Sequence, residues 1–483
     1  VDLGSNSFHL AIGRVDGDQI YPLDAIKETV RLGAGLTPER MLDAEAQERA
    51  IRALKRFSER LAGMPREAVR IVGTNALRMA KNAQPFLRRA EKELGFPIEV
   101  IPGREEARLI YVGVVHSLPM AGHNRLVVDV GGGSTEFIIG NKLRAKAMES
   151  LYMGCVSYTA RYFPEGRIEK KAVKQAELAA RSQLQPLVAR FEKLGWKETV
   201  GSSGTARSIA EILQKNGQSD TGISAQGLQW LRERLIEAGD FRKLSLLGLR
   251  EDRIPVIAGG LTVLSGIFDE LGLERMTVAD GALRDGVLWD LLGRVHHRDI
   301  REVTVDQFAR RYHVDSTQVQ RVGSLAQQLR RQLVADNDAL EPLADFLDWA
   351  VKLHEIGITI AQGAYHKHSA YILANADMPG FSRQEQGWLS NLVLAQRGKL
   401  SKMRAAFDDD PRLAALAFCL RIAVIVHRSR RTLKLPRLRA SAQGTDYRLE
   451  VDPAWLTENT LIAVALEAEV EQWKSVGIRL ALV

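Results

Sequence analysis

Cysteine is scarce: Cys155 and Cys419 are the only two in 483 residues. That excludes a disulfide framework or a cysteine metal site and fits a reducing cytoplasm, the location expected for this chain. No histidine and cysteine spacing suggests zinc. An uninterrupted apolar run is also missing. The longest, Ile254 to Phe268, lies between Arg253 and Asp269 and is broken by Pro255, Gly259, Gly260 and Gly266, so it reads as a buried helix and not a bilayer span. No signal peptide is visible, and because the sequence opens without Met inside a strand pattern, a short N-terminal piece is expected to precede it. What is present is ordinary globular material, 45% hydrophobic and 26% charged, with length for about three domains. A net charge of +8 and a pI of 9.4 point either to a polyanionic partner or to a generally basic surface.

One pattern occurs twice. Val1, Asp2, Leu3, Gly4, Ser5, Asn6 and Ser7 return as Val128, Asp129, Val130, Gly131, Gly132, Gly133 and Ser134. Each copy runs on into apolar residues, Phe8 to Ile12 and Phe137 to Ile139, and reads as strand, glycine turn, strand. Two such hairpins face to face can clamp a chain of phosphates: turn glycines let backbone N–H groups approach phosphate oxygens, serines add hydroxyls, and an Asp at the strand end holds a metal ion or orders water. The bland alternative is two unrelated hairpins that happen to contain Asp and Gly.

Strands and helices alternate from Val1 to about Leu118, with helices expected over 44–61, 84–94 and from Arg104, and strands over 69–74 and 97–102. Ala107, Ile110, Tyr111, Val114 and Val115 keep the spacing of a buried helical face. A second α/β segment starts at Arg125 with the repeated hairpin. It includes a helix over 171–194, the turn Gly201, Ser202, Ser203, Gly204, Thr205 before another helix, and a closing strand and helix over 276–281 and from Ala282. A Gly/Ser turn between strand and helix suits phosphate, because helix N-terminal amides carry partial positive charge. Beyond about Arg298 the patterns turn helical, with a possible small sheet from 446–451 and 478–483. The expected domains are 1–121, 122–298 and 299–483: two α/β halves flanking a cleft, then a mostly α-helical region.

The paired hairpins, Gly201 to Thr205 and Val278 to Gly286 together resemble the actin-like (ribonuclease-H-like), sugar-kinase-like ATPase superfold. Within it, Val1 to Leu10, Gly103 to Ile110, Val128 to Phe137 and Met153 to Val156 are similar to the exopolyphosphatase / guanosine pentaphosphate phosphohydrolase family, over nearly the whole chain. The resemblance implies hydrolysis of a terminal phosphoanhydride, of inorganic polyphosphate or of the pentaphosphate alarmone pppGpp, releasing orthophosphate. It further implies a divalent metal, usually Mg2+, with K+ as a candidate helper, and a cytoplasmic homodimer of the stringent response. Polyphosphate is the first choice and pppGpp/ppGpp the alternative. A kinase of the same superfold and a non-enzymatic polyphosphate or alarmone sensor are the other classes weighed; no nucleic-acid partner and no transmembrane segment are expected.

Breaking the anhydride with water needs a base, donors around the transferring phosphoryl group and neutralisation of the leaving chain. Locally, Glu105 and Glu106 are carboxylates in a helix's first turn, where they favour the dipole; the resemblance makes Glu106 the catalytic base. It also gives Asp129 and Glu136 the task of holding Mg2+ and orienting water, with Asp2 as the counterpart of Asp129, although each Asp can equally be a turn carboxylate capping backbone amides. Ser5, Asn6, Ser7, Gly131, Gly132, Gly133, Ser134 and Thr135 are expected to cradle the terminal phosphates, and Gly204 and Thr205 to sit where nucleotide-binding relatives hold base or ribose. Arg78 matches a family position facing the site and otherwise reads as a solvated helix arginine. In the helical region, His354-Glu355 is similar to the pair that names the HD phosphohydrolase fold, but the remaining ligands are not evident, so a degenerate scaffold is expected. Finally Arg428, Arg430, Arg431, Lys434, Arg437 and Arg439 follow one another without an acid. With Lys367 they are either a solvated face or a channel that tracks a phosphate polymer.

Overall fold

The computed structural model describes every residue except 17–18, 120, 296–298, 335–339 and 341–342. The chain forms two compact units, Val1–Asp299 and Ile300–Val483. Residue 298, the expected domain end, lies outside the described residues.

In the first unit the order is β1 (Asp2–Leu3), β2 (Ser7–Asp16), β3 (Gln19–Thr29), α1 (Ala44–Leu61), β4 (Val72–Gly73), α2 (Asn75–Met79), α3 (Ala83–Leu94), β5 (Glu99–Val100) and α4 (Gly103–Ser117). There follow β6 (Arg125–Val130), β7 (Thr135–Asn141), β8 (Arg144–Leu151), α5 (Cys155–Tyr162), α6 (Lys170–Leu194), β9 (Glu198–Gly201), α7 (Gly204–Lys215), β10 (Ile223–Ser224), α8 (Ala225–Ala238), α9 (Ile257–Leu271), β11 (Arg275–Val278) and α10 (Leu283–Val295). Two sheets result, ordered β3-β2-β1-β4-β5 and β10-β11-β9-β6-β7-β8. Setting β10 aside, the orders are the same: an antiparallel meander of three strands and then two parallel strands. This duplicated α/β architecture is the actin-like pair of lobes that the repeated motif implied.

Local chemistry explains the elements. Asp43 caps α1 by accepting the Ala46 N–H, and Ala46, Ala50, Leu54, Phe57 and Leu61 then recur on one buried face. α4 buries Ala107, Ile110, Tyr111, Val114 and Val115 as its spacing required. The apolar stretch at 254–271 is longer than the sequence suggested, because its glycines stay helical: a 3-10 turn at Ile254–Val256 runs into α9. By length and composition it is able to cross a membrane, yet 72% of it is buried inside the fold. Gly259 and Gly266 sit in it because neighbouring helices press close; a Cβ on Gly259 would lie 2.4 Å from the Cys155 carbonyl oxygen.

The second unit comprises α11 (Ile300–Arg311), α12 (Ser316–Val334), α13 (Ala344–Leu353), α14 (Tyr365–Asn375), α15 (Arg383–Ala395), α16 (Arg404–Asp409), α17 (Pro411–Val426), β12 (Arg439–Gln443), β13 (Asp446–Glu450), α18 (Pro453–Glu458), α19 (Thr460–Lys474) and β14 (Arg479–Leu482). α17 is apolar all round and almost wholly buried, the axis of a core that also holds Phe418, Tyr447 and Trp473. The small sheet is three-stranded, β12-β13-β14.

Candidate active site

The two copies of the motif fold in identical register. Asp2 stands opposite His9 and Leu3 opposite Phe8, just as Asp129 stands opposite Glu136 and Val130 opposite Thr135. Cross-strand partners in an antiparallel pair share a face, so Asp129 and Glu136, seven apart in sequence, come to the same side of the sheet. The two turns also touch. A Cβ on Gly132 would lie 2.9 Å from the Ser5 Cβ and 3.1 Å from the Asn6 nitrogen, and one on Gly133 would lie 2.4 Å from Asn75 Oδ1. Only glycine allows that approach. The second turn is held from behind, where the carbonyls of Gly131 and Gly132 accept the N–H groups of Cys155, Val156 and Ser157 at the start of α5.

Between the turns lies a cavity of about 460 Å³. Asp2, Ser5, Asn6, Ser7, Glu106, Asp129, Gly131 to Ser134, Gly204 and Thr205 all reach its wall. Three expected site residues do not. Thr135 is fully buried and its hydroxyl donates to the Met153 carbonyl at 2.6 Å, so it locks the hairpin to the next loop instead of cradling phosphate. Glu136 stands behind the wall, accepting from Ser150 Oγ at 2.7 Å. Arg78 is likewise not on the wall: it is buried behind Glu106, donating to Glu106 Oε2 and to the Ile101 carbonyl, each at 2.9 Å. Thr205 lines the cavity, but its hydroxyl is spent on the Val130 carbonyl at 2.9 Å.

Glu105 and Glu106, equivalent in the sequence, separate in space. Glu105 turns into a bidentate pair with Arg108, while Glu106 faces the cavity. Burial raises Glu106 above the ordinary carboxylate range, against the pull of Arg78. Asp2 is pushed up to about 7, first by burial and then by Glu106. Asp129 is pushed up to about 6 by burial, opposed by the Ser202 hydroxyl that donates to it at 2.5 Å. Glu136 is raised well above the ordinary range, by burial and then by Glu106 and Asp129. Four carboxyl groups thus share a region that disfavours their charge, the condition a bound cation relieves.

Asp2 Oδ1, Asn6 Oδ1, Ser7 Oγ and Asn75 Nδ2 are buried with no hydrogen-bond partner among the described residues. Native folds rarely leave such groups unpaired, so their concentration here marks a place where a polar ligand belongs. Among the described residues no three His, Cys, Asp or Glu side chains converge as a ready-made metal cage. Hard oxygens from one or two carboxylates nevertheless fit Mg2+, which takes the rest of its shell from water and substrate phosphate.

Elsewhere the cavity wall carries five cationic side chains, with Glu211 beside them. Lys27, Arg207, Arg250, Arg253 and Arg284 line it, from β3, α7, the loop before α9 and the start of α10. Arg253 packs against Gly204, where a Cβ would lie 2.2 Å from its Nη2. Its Nε is buried without a hydrogen-bond partner among the described residues, 3.8 Å from Asp252 Oδ2. Burial lowers Arg207, and the neighbouring Arg284 lowers it further. His9 is pushed down to about 3 by burial and then by Arg284 and Lys27, which keeps its imidazole neutral. The sequence reading missed these six residues because they come from separate elements with no common spacing; only the register match of His9 to Glu136 was there to be found.

The residues of the basic run lie in the second unit, described here by itself. Lys367, Arg428, Arg431 and Lys434 are exposed. Arg430 is already engaged, with Asp315 at 3.0 Å and Glu355 at 2.6 Å. His354 is buried with Nδ1 2.7 Å from the Val351 carbonyl, a core arrangement.

Comparison with known proteins matches residues 11–295 to the model of the Ppx/GppA phosphatase family and residues 300–470 to Ppx/GppA phosphatase, domain III. Among solved structures, an exopolyphosphatase from Cytophaga hutchinsonii is 29% identical with a TM-score of 0.55, covering 61% of this chain and 96% of that one. The Aquifex aeolicus PPX-GPPA enzyme is 26% identical with a TM-score of 0.50, covering 60% of this chain and 97% of that one.

Proposed function

We propose, since the chain belongs to the Ppx/GppA phosphatase family, that this phosphohydrolase is an exopolyphosphatase that removes the terminal phosphate of inorganic polyphosphate. The observation that carries the reading is the make-up of one cavity wall, which brings carboxylates and two glycine turns together with Lys27, Arg207, Arg250, Arg253 and Arg284, Glu211 standing among them. A linear polyanion matches that arrangement, with its end at the turns and its following phosphates on the cations.

In the reaction, Glu106 accepts a proton from water as the water oxygen bonds to the terminal phosphorus. The bond from that phosphorus to the bridging oxygen breaks, and the shortened chain leaves with the electron pair. A carboxylate raised above its usual range is the stronger base for this step, and Arg78 holds it in place. Backbone amides of Gly131 to Gly133 and the hydroxyls of Ser5 and Ser134 surround the phosphoryl oxygens. Asp129 and Asp2 would hold Mg2+, with Glu136 set behind them; when bound, the ion neutralises phosphate charge. The exposed basic run of the second unit is assigned to following a long chain through repeated cleavages.

A second hollow of about 370 Å³, lined by Gln214, Thr221 and Thr277, shares Arg207 and Glu211 with the cavity, and that extra room favours pppGpp as the second reading. Phosphate release measured side by side on long polyphosphate and on pppGpp, with Mg2+ and with chelator, tests both. The reading predicts chelator-sensitive release and higher kcat/KM on the polymer. Preference for pppGpp replaces it with the second reading, and tight binding without release overturns both.

A further inference from the structure

α4, which carries Glu106 in its first turn, and α10, which carries Arg284 in its first turn, pack together and meet backbone to backbone at Gly113 and Gly286. A Cβ on Gly286 of α10 would lie 1.8 Å from the Leu109 carbonyl oxygen, and one on Gly113 of α4 would lie 2.1 Å from the Ala282 carbonyl oxygen. One turn further along α10, Asp290 enters a buried set of ions. It accepts from Arg108 of α4 and from Arg70 Nη1, the latter at 2.5 Å. Arg108 in turn grips Glu105 through two bonds of 2.7 Å. Glu105 is the residue before Glu106. The side chain of Asp290 is 5% exposed and that of Glu105 is 1% exposed, so water does not screen these bonds.

We infer that Asp290 is a positioning residue for Glu106: by anchoring Arg108, and through it Glu105, it fixes the rotation of the first turn of α4 and hence the aim of the catalytic carboxylate. The inference rests on the reading of Glu106 as the base. Asp290 touches neither the cavity nor Glu106, and its effect passes through backbone geometry. Bidentate Arg108 supplies that geometry, since a planar fork sets direction where a point charge does not. A base displaced by about 1 Å loses roughly a hundredfold in rate, so small rotations suffice. α10 also joins this anchor to Arg284 on the cavity wall, so seating an anionic chain there and aiming the base involve one rigid element.

The test is a double-mutant cycle on the full chain with Mg2+ and polyphosphate, comparing wild type, Glu106→Gln, Asp290→Asn and the pair. Asp290→Asn is expected to lower kcat at least tenfold with KM within about twofold, Asp290→Glu to restore part of it, and the pair to be no slower than Glu106→Gln alone. Independent, multiplying losses, or a lowered melting temperature with kcat unchanged, overturn the inference. Should Asp290→Asn fail to fold, Arg108→Lys keeps the charge and removes the fork, and unchanged kcat in that variant overturns it equally. Near-normal turnover in Glu106→Gln overturns the reading of Glu106 as the base, and absence of phosphate release from the wild type overturns the proposed function, each a result distinct from the others.

Discussion

Glu106 and Glu105 show how far a residue's neighbours decide its chemistry. Glu106→Gln keeps size and the contact to Arg78 but cannot take a proton, so phosphate release should fall by about a thousandfold or more. Polyphosphate affinity by equilibrium binding should stay within a few-fold. Asp129 makes a pH prediction with a definite sign. Its carboxyl, ordinarily near 3.8, stands at about 6 in the fold, so the folded chain holds that proton more tightly than the unfolded one. The stability this brings is full below about pH 4 and lost as pH rises through 6. Asp129→Asn therefore gains stability over wild type across that window, by up to about 3 kcal/mol above it, in metal-free buffer. Thermal melts at pH 4 and pH 8 check it: the gap between variant and wild type opens at the higher pH. At this scale the motif residues on the turns were readable from sequence, because a glycine turn is a local object. Whether a side chain faces the cavity was not, since Thr135, Glu136 and Arg78 are turned away from its wall by partners distant in sequence, Met153, Ser150 and Ile101.

Helices were the most legible elements and short parallel strands the least. α1 runs over Ala44–Leu61, where its pattern placed it, because periodicity over many residues is redundant. β4 and β5 are two residues each, inside stretches that looked like six-residue strands. Of their flanks, Ile71, Thr74, Ile98 and Ile101 stay buried outside the strands proper. β3 and β8 went unnoticed because an edge strand, half exposed, lacks a strong apolar signal. The contact between α4 and α10 was invisible in the same way: Gly113 and Gly286 look like helix-weakening residues until the helices are brought together. Gly286→Ala sets a methyl against a backbone oxygen that cannot swing aside. It should cost about 2–4 kcal/mol, read from chemical denaturation, with the slope unchanged.

Among the described residues one core is confined to residues beyond 300, while the first unit holds separate clusters of its own. Residues 300–483 expressed alone should therefore unfold cooperatively, a result that circular dichroism on that fragment decides. Replacing Arg428, Arg431 and Lys434 together by Ala leaves Arg430 and its partners in place. It should shorten processive runs on long polyphosphate, seen as more intermediate lengths on a gel, while sparing tripolyphosphate. Raised salt should mimic the variant. Charge excess left a polyanionic partner and a generally basic surface equally open, and the basic cavity wall was not legible, since Lys27, Arg207 and Arg253 converge only through tertiary folding. The duplicated hairpin has one further implication. Its two copies keep the same register, yet opposite the shared aspartate one presents the neutral ring of His9 and the other the acid of Glu136. A symmetric clamp would admit a rod from either side and cut it anywhere. This mismatch gives the groove a head and a tail, the asymmetry that the proposed trimming from one tip calls for.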